Sequence, residues 1–219
     1  MVTLAGQQIL AGKQRSDGGV SPKDWVEFTV ATLCHDIGYV RGVCRDDGDG
    51  VFVVDAKGKT VELGEEATDA MLTPHHVERG KIFVRERFGN NSLIDISADV
   101  MARYIEKTKF PPPKAEQGKD SYSELGDLVR AADLIGQLGD PGYLRKVPAL
   151  FHEFEQLGTN EKLGYANPGI MRNNYAKFYW DLVYPYIRDA ISYLETTENG
   201  RQWVSNLYAH VFRVEHGAI

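Results

Sequence analysis

A histidine followed directly by an aspartate, His35 and Asp36, is the feature that most restricts how this chain can fold. Residues 30–33 before the pair are mostly apolar, and Ile37 and Gly38 follow it. This pattern is typical of a buried helix that carries two polar side chains at its end. Burying an imidazole and a carboxylate without a partner is costly, so the sequence predicts that something binds them. A divalent cation accepts both types of ligand.

Most of the remaining sequence has helical signals. Ser21 and Pro22 are a capping residue and a first-turn proline for the helix that carries the His-Asp pair. Further helices are expected near residues 97–107 and after Ser121, where Ser121 to Glu124 match a capping box. Two β-rich runs around a Lys-Gly turn predict a hairpin over residues 51–63. We therefore expect a mainly α fold, a helical bundle with a small inserted β-hairpin.

Length and composition favour one domain over residues 1–219, with a core at 1–140 and a helical extension at 141–219 packed on it. The net charge of −6 disfavours a nucleic-acid partner, because phosphate backbones are bound through an excess of Lys and Arg. No apolar stretch approaches the roughly 20 residues of a membrane span. The two cysteines lack CxxC spacing, which favours a reducing, cytoplasmic compartment.

An acidic turn occupies residues 46–50, Asp-Asp-Gly-Asp-Gly. It lacks the further oxygen ligands and the closing glutamate of an EF-hand calcium loop. Aspartate and glycine are also the residues that tight turns require. We therefore expect a solvated turn rather than a calcium site.

Three segments together resemble the HD superfamily of metal-dependent phosphohydrolases: ATLCHDIGY at 31–39, TPHHVERG at 73–80 and LVRAADLIG at 128–136. The signature of that superfamily is a histidine, a His-Asp pair and a distant aspartate, all carried on helices. His35 and Asp36 match the pair, and Asp133 matches the last aspartate. The resemblance implies an HD-domain-like helical bundle in which these side chains meet at a divalent cation.

His76 is the expected additional metal ligand. A cap at Thr73 predicts a helix that ends near Phe88 and carries His75 and His76 in its first turn. Neighbouring helical residues point about 100° apart, so we expect only one of the two to face a metal. His76 precedes Gly80 by four residues, which resembles the His-x-x-x-Gly pattern of two-metal superfamily members. The alternative is that both histidines are polar first-turn residues facing solvent.

The resemblance implies hydrolysis of a phosphomonoester or phosphodiester by a metal-activated water. Mixed His and carboxylate ligation admits Mn, Fe, Co, Ni, Zn or Mg, and a bound cation lowers the pKa of its water. Asp36 is also the expected proton acceptor in catalysis. The expected partner is a small phosphorylated substrate, with nucleotides the leading class.

Two further side chains have competing interpretations. Arg41 follows Asp36 by five residues and is the expected substrate-binding residue; the alternative is an ordinary surface arginine. For Asp133, the alternative to metal ligation is a structural ion pair with an arginine such as Arg130 or Arg145.

The superfamily's first metal histidine has no counterpart before His35. Residues 1–10 have helical spacing but no capping residue before them, so the helix is expected to be under way at Met1. Two explanations are open: a start placed too late, or a lineage that has lost the ligand. Loss of the ligand leads to the alternative function, a catalytically impaired HD-fold regulatory or scaffold protein.

Two amphipathic stripes close the sequence, one over residues 178–194 and one over residues 203–211. Stripes at helical spacing bury against other elements. A protein core and a homodimer interface are both compatible with this pattern, because periodicity does not separate them.

Overall fold

A computed structural model describes residues 1–90, 95–112 and 121–217, without the side chains of 121–123. The predicted capping box at Ser121 depends on a side chain outside the described part of the structure. The chain divides into two compact units, Val20–Arg130 and a unit that combines Met1–Gly19 with Ala131–Ile219. The first helix thus belongs to the same unit as the C-terminal helices.

The described chain is mostly helical with one small antiparallel sheet, which confirms the predicted fold class. Its helices are α1 (Val2–Ser16), α2 (Pro22–Cys34), α3 (His76–Phe88), α4 (Ala98–Glu106), α5 (Ser121–Leu138), α6 (Tyr143–Gln156), α7 (Thr159–Leu163), α8 (Pro168–Asn173), α9 (Tyr175–Phe178), α10 (Tyr184–Leu194) and α11 (Glu198–Glu215). Short 3-10 helices occur at Ile37–Tyr39 and Asp69–Leu72, and Tyr179–Val183 is π-helical.

The helix that carries the His-Asp pair begins as predicted. The hydroxyl of Ser21 accepts a hydrogen bond from the Asp24 amide at 3.1 Å, and the Asp24 carboxylate accepts one from the Ser21 amide at 2.9 Å. Pro22 occupies the first turn, where its missing N–H costs nothing. A capping residue of this kind contributes about 1 kcal/mol to helix stability. Helix α2 therefore starts at Pro22 and ends at Cys34.

The unit Val20–Arg130 is built by packing α4 against both α2 and α3. Its buried apolar side chains come from all three helices: Phe28, Ala31, Val84, Met101 and Ile105. The predicted hairpin is present as β1 (Val51–Val53) and β2 (Thr60–Glu62), with Phe52 opposite Val61. Phe52 and Val53 are buried, so the hairpin is anchored through β1.

In the other unit, α1 packs against α10 and α11. The approach to α10 is close: a Cβ on Gly12 would lie 2.1 Å from the Tyr193 carbonyl oxygen, so only glycine fits there. Ile187, Leu194 and Leu207 are fully buried, which confirms core packing for these stripe positions. Leu182, by contrast, is 49% exposed. No helix in the described residues has the length and apolar character to span a membrane.

Candidate metal centre

The His-Asp pair lies at the point where α2 stops. His35 is the C-cap of α2, and Asp36 leads into the 3-10 helix Ile37–Tyr39. His35 is buried, whereas the Asp36 side chain is 51% exposed. The pair therefore lies at the end of a helix, as the sequence predicts, with His35 buried and the carboxylate half open to solvent. The last turn of α2 is only partly buried, because Leu33 is 65% exposed.

His76 reaches the same place from α3, although this helix starts later than predicted. Thr73 is not its cap: α3 begins at His76, its N-cap is His75, and no side chain caps it. Thr73 continues the 3-10 turn Asp69–Leu72. Its carbonyl oxygen lies 2.6 Å from Nδ1 of His76. The end of α3 at Phe88 is as predicted.

Both imidazoles are oriented by a backbone carbonyl three residues earlier. His35 Nδ1 lies 2.9 Å from the Thr32 carbonyl oxygen, and His76 Nδ1 makes the matching contact with Thr73. A carbonyl oxygen only accepts, so each Nδ1 carries the proton. A neutral ring held in this way has its lone pair at Nε2, and metal-ligating histidines are commonly oriented by such a contact.

The Asp36 carboxylate lies between these two Nε2 atoms. His35 Nε2 is 3.1 Å from Oδ2, and His76 Nε2 is 3.8 Å from Oδ1. Unprotonated Nε2 atoms would repel an ionised carboxylate, and a divalent cation bound by all three groups would remove that repulsion. Donors about 2.1 Å from one metal lie about 3.0 Å apart at right angles and about 3.4 Å apart in a tetrahedron. The first contact falls in that range and the second is slightly longer.

The electrostatics favour an ionised Asp36. Burial acts to raise the pKa of this carboxyl, but the neighbouring imidazoles of His35 and His76 hold it below its ordinary value. Tyr39 stacks on the His76 ring, with centroids 4.5 Å apart. The His76 ring is therefore fixed both by its Nδ1 hydrogen bond and by this stacking contact.

Gly38 allows the segment after the His-Asp pair to touch the start of α3. A Cβ on Gly38 would lie 1.9 Å from the His76 carbonyl oxygen, which no side chain can tolerate. Gly80 lies against the end of α2, and a Cβ there would meet the Cys34 and His35 carbonyl oxygens at 3.4 and 3.5 Å, which is ordinary contact. The close approach thus depends on Gly38 more than on Gly80.

A buried arginine one turn along α3 fixes the same segment. Arg79 is completely buried, and its guanidinium makes five hydrogen bonds, one for each N–H donor. Three go to the carbonyl oxygens of Gly38, Val40 and Val53 at 2.7 to 2.9 Å. The other two form a bidentate pair with Asp47 at 2.9 and 3.0 Å.

Asp47 corrects the expectation of a solvated turn at residues 46–50. Its side chain is fully buried, and besides Arg79 it accepts the amides of Cys44 and Val53. Burial acts to raise its pKa, but the bonds from Arg79 and these amides lower it overall. Sequence reasoning missed both residues, because nothing local separates Asp47 from its exposed neighbours Asp46 and Asp49.

A cavity of about 260 Å³ adjoins His76. Its lining includes the Thr73 segment, the first turn of α3 and the apolar rim of Phe110 and Pro111. Lys109 also lines it and is paired with Glu78 at 2.7 Å and with Glu106 at 2.5 Å. Lys81 pairs with the same two glutamates, so two positive and two negative side chains balance here. The rim is apolar.

The two other predicted site residues have structural partners. Arg41 Nε donates to Asp69 at 2.9 Å, and its guanidinium also donates to the Ala67 carbonyl oxygen. Asp133, on α5, is buried and accepts a hydrogen bond from Gln137 at 2.7 Å. It belongs to the unit that contains the C-terminal helices. Substrate contact by Arg41 and metal ligation by Asp133 stay predictions.

Two imidazoles and a carboxylate are a donor set that fits a borderline divalent cation. In the described residues, however, no group of three or more His, Cys, Asp or Glu side chains has the arrangement of a metal site. The side chains fit a cation in donor type and in ring orientation. A complete first shell would need donors beyond these three side chains.

Comparison with known proteins gives one family. No curated protein and no solved structure matches the chain. A family model described as Npun_R2479-like matches residues 1–217, nearly the whole chain. The chain therefore belongs to the Npun_R2479-like family.

Proposed function

We propose that this protein is a metal-dependent phosphohydrolase of the HD type that hydrolyses a phosphomonoester or phosphodiester of a small molecule, with nucleotides the leading class. The proposal rests on the resemblance of three sequence segments to that superfamily. Its main support in the structure is the Asp36 carboxylate between the Nε2 atoms of His35 and His76, with both Nδ1 atoms committed to backbone carbonyls. Orientation of this kind is typical of metal-ligating histidines.

In this proposal His35, Asp36 and His76 hold a divalent cation, with Asp133 as the further ligand that the resemblance implies. A bound cation supplies a water of lowered pKa and neutralises charge that develops on phosphorus. Asp36 accepts the proton of the attacking water at a carboxylate oxygen, since half of its side chain is open to solvent.

The cavity beside His76 is the proposed site for the alcohol part of the ester. It adjoins a candidate ligand, and Phe110 and Pro111 give it an apolar rim. Because Lys81 and Lys109 are both paired with Glu78 and Glu106, these four charges cancel. Phosphate charge would therefore be bound at the metal and not in the cavity.

The second candidate is an HD-fold regulatory or scaffold protein without turnover. One observation favours it: the described side chains include no ready group of three metal donors.

Metal binding and turnover together decide between the two functions. Purified protein is titrated calorimetrically with Mn²⁺, Ni²⁺ and Zn²⁺, then assayed against p-nitrophenyl phosphate, bis-p-nitrophenyl phosphate and a nucleotide panel. The hydrolase proposal expects binding of at least one cation and release of phosphate or p-nitrophenol. Binding without turnover supports the regulatory alternative, and absence of both removes the hydrolase assignment.

Matched variants show whether the described side chains are responsible. Asp36→Asn and His76→Gln should each lower metal affinity by at least about tenfold, because each removes a donor from the proposed first shell. The control is His75→Gln, which changes the adjacent histidine, the N-cap of α3, and leaves the donors in place. Equal loss in the control and in His76→Gln would contradict the assignment of His76.

A further inference from the structure

The outer face of α11 carries an exposed aromatic patch. Tyr208 and Phe212, one turn apart on this helix, are 37% and 57% exposed, and Trp180 beside them is 42% exposed. The Trp180 ring is stacked near Tyr208 with centroids 6.3 Å apart, and its Nε1 donates to Glu215 at 3.2 Å. Exposed aromatic groups that lie together mark interaction surfaces more often than scattered single residues do.

Five of the exposed side chains of α11 lie on one stripe along the helix: Arg201, Ser205, Tyr208, Phe212 and Glu215. Other exposed residues, Glu198 and Arg213 among them, lie beside this stripe. Alternating steps of four and three residues keep side chains on one helix face, as in helices that pair lengthwise. The stripe therefore has an aromatic centre, a basic end and an acidic end.

The two charged ends have no ion-pair partner within the described residues. Arg201 donates to the Glu195 carbonyl oxygen, and Glu215 accepts from Trp180. Arg201 lies seven residues before Tyr208 and Glu215 seven residues after it, about 10 Å away on either side. A helix with this arrangement is complementary in charge to a reversed copy of itself.

We propose that this face of α11 binds a second copy of the same chain. The two α11 helices run antiparallel about a twofold axis near Tyr208, so that Arg201 of each copy faces Glu215 of the other. A parallel pairing would place like charges side by side. An isologous interface of this kind uses the same surface on both copies, which is the commonest arrangement of soluble oligomers. The inference is independent of the proposed phosphohydrolase activity.

The sizes of the side chains support the same alignment of the two α11 helices. Ser205 is small and lies on the stripe between Arg201 and Tyr208, where it leaves room for Phe212 of the second copy. The 18-residue helix is about 27 Å long. A single helix pair of this length with one flanking tryptophan is smaller than a standard permanent interface. The dimer should therefore be reversible and depend on protein concentration.

Sedimentation-velocity analysis of the full chain, from 1 to 200 µM, tests the proposal. The wild-type protein should shift from monomer toward dimer over this roughly 200-fold range. Phe212→Glu should weaken dimerisation at least about 30-fold, since it places a charge at the centre of the patch. Leu163→Glu on α7 is the matched control, because Leu163 is similarly exposed at 53% but lies off α11.

Charge reversal tests orientation without touching the aromatic centre. R201E and E215R should each weaken the dimer about tenfold, because each replaces two attractive pairs with two repulsive ones. An equimolar mixture of the two variants should form a heterodimer, and the double variant R201E/E215R should regain wild-type association. Circular dichroism and thermal melting confirm that each variant is folded.

Each possible result either supports or overturns the proposed dimer. A wild-type chain that stays monomeric over the whole range overturns the proposal. So does a dimer that resists Phe212→Glu, or charge variants that weaken association but do not recover when mixed. Recovery in the mixture, with no effect of Leu163→Glu, establishes the antiparallel α11 interface.

Discussion

Replacing Asp47 with asparagine should remove much of the stability of the unit Val20–Arg130. Asparagine has nearly the same shape, so it tests charge and hydrogen bonding and not volume. One carboxylate oxygen becomes an amide NH₂ that faces the donors of Arg79 and the Cys44 amide. The Arg79 guanidinium then remains buried with its charge uncompensated.

The expected loss follows from complete burial of both partners. Removing one member of a buried ion pair costs about 3–5 kcal/mol, because the remaining charge stays buried without a counter-charge and without water around it. A typical domain is stable by about 5–15 kcal/mol in total. Asp47→Asn should therefore reduce the free energy of unfolding by about 3–5 kcal/mol and lower the urea midpoint strongly.

Urea denaturation measures this loss, followed by circular dichroism and by tryptophan fluorescence, to which Trp25 on α2 of the same unit contributes. Asp46→Asn is the control: Asp46 is exposed in the same turn, and its replacement should change stability by no more than about 0.5 kcal/mol. A loss below about 1 kcal/mol for Asp47→Asn would refute the reasoning.

The pH dependence of the free energy of unfolding tests independently whether the ionised Asp47 stabilises the folded protein. The pKa of Asp47 is lowered in the folded protein from an ordinary value of 3.8. A lowered folded-state pKa contributes stability that is present above the unfolded pKa and is lost as pH falls through the folded pKa. The difference between wild type and Asp47→Asn should be largest near neutral pH and shrink below about pH 4.

Three further outcomes are expected. Gly38→Ala should lower the free energy of unfolding in urea by about 1–3 kcal/mol or more, since its Cβ would lie 1.9 Å from the His76 carbonyl oxygen. Gly64→Ala is the control, because a Cβ on Gly64 would have no atom within 4 Å. Equal stability of the two variants would contradict the close approach at Gly38. Burial raises the pKa of Glu27, which disfavours its charged form, so Glu27→Gln should gain relative to wild type as pH rises from 4 to 7; a gap independent of pH would refute this. Tyr175→Phe should be neutral or stabilising by up to about 1 kcal/mol, because the buried hydroxyl has no hydrogen-bond partner within the described residues; a clear loss would point to a bound water.

The sequence was informative where the signal is local. Ser21 and Pro22 predicted the start of α2, and the Lys-Gly turn predicted the hairpin, because capping and turn preferences involve residues close in the chain. The position of the His-Asp pair at a helix end followed from the apolar residues that precede it. His76 was correctly placed at the beginning of a helix, although the cap at Thr73 was wrong.

The contacts that the sequence did not predict join residues that are distant in the chain. Arg79 and Asp47 are 32 residues apart, and a buried ion pair has no periodic pattern that would reveal it. Gly38 similarly resembles an ordinary turn glycine until the His76 carbonyl oxygen is seen beside it. Whether Asp133 completes a metal site is also beyond local sequence patterns, so its role still rests on the resemblance.

The five hydrogen bonds of Arg79 restrict which residues can replace it in members of this family. Lysine carries all its donors on one nitrogen, so it cannot serve five acceptors spread around a planar guanidinium. The usual Arg-to-Lys exchange should therefore be rejected at this position even though charge is conserved. Across an alignment of the family, positions 47 and 79 should covary: both retained together, or both replaced together by apolar residues.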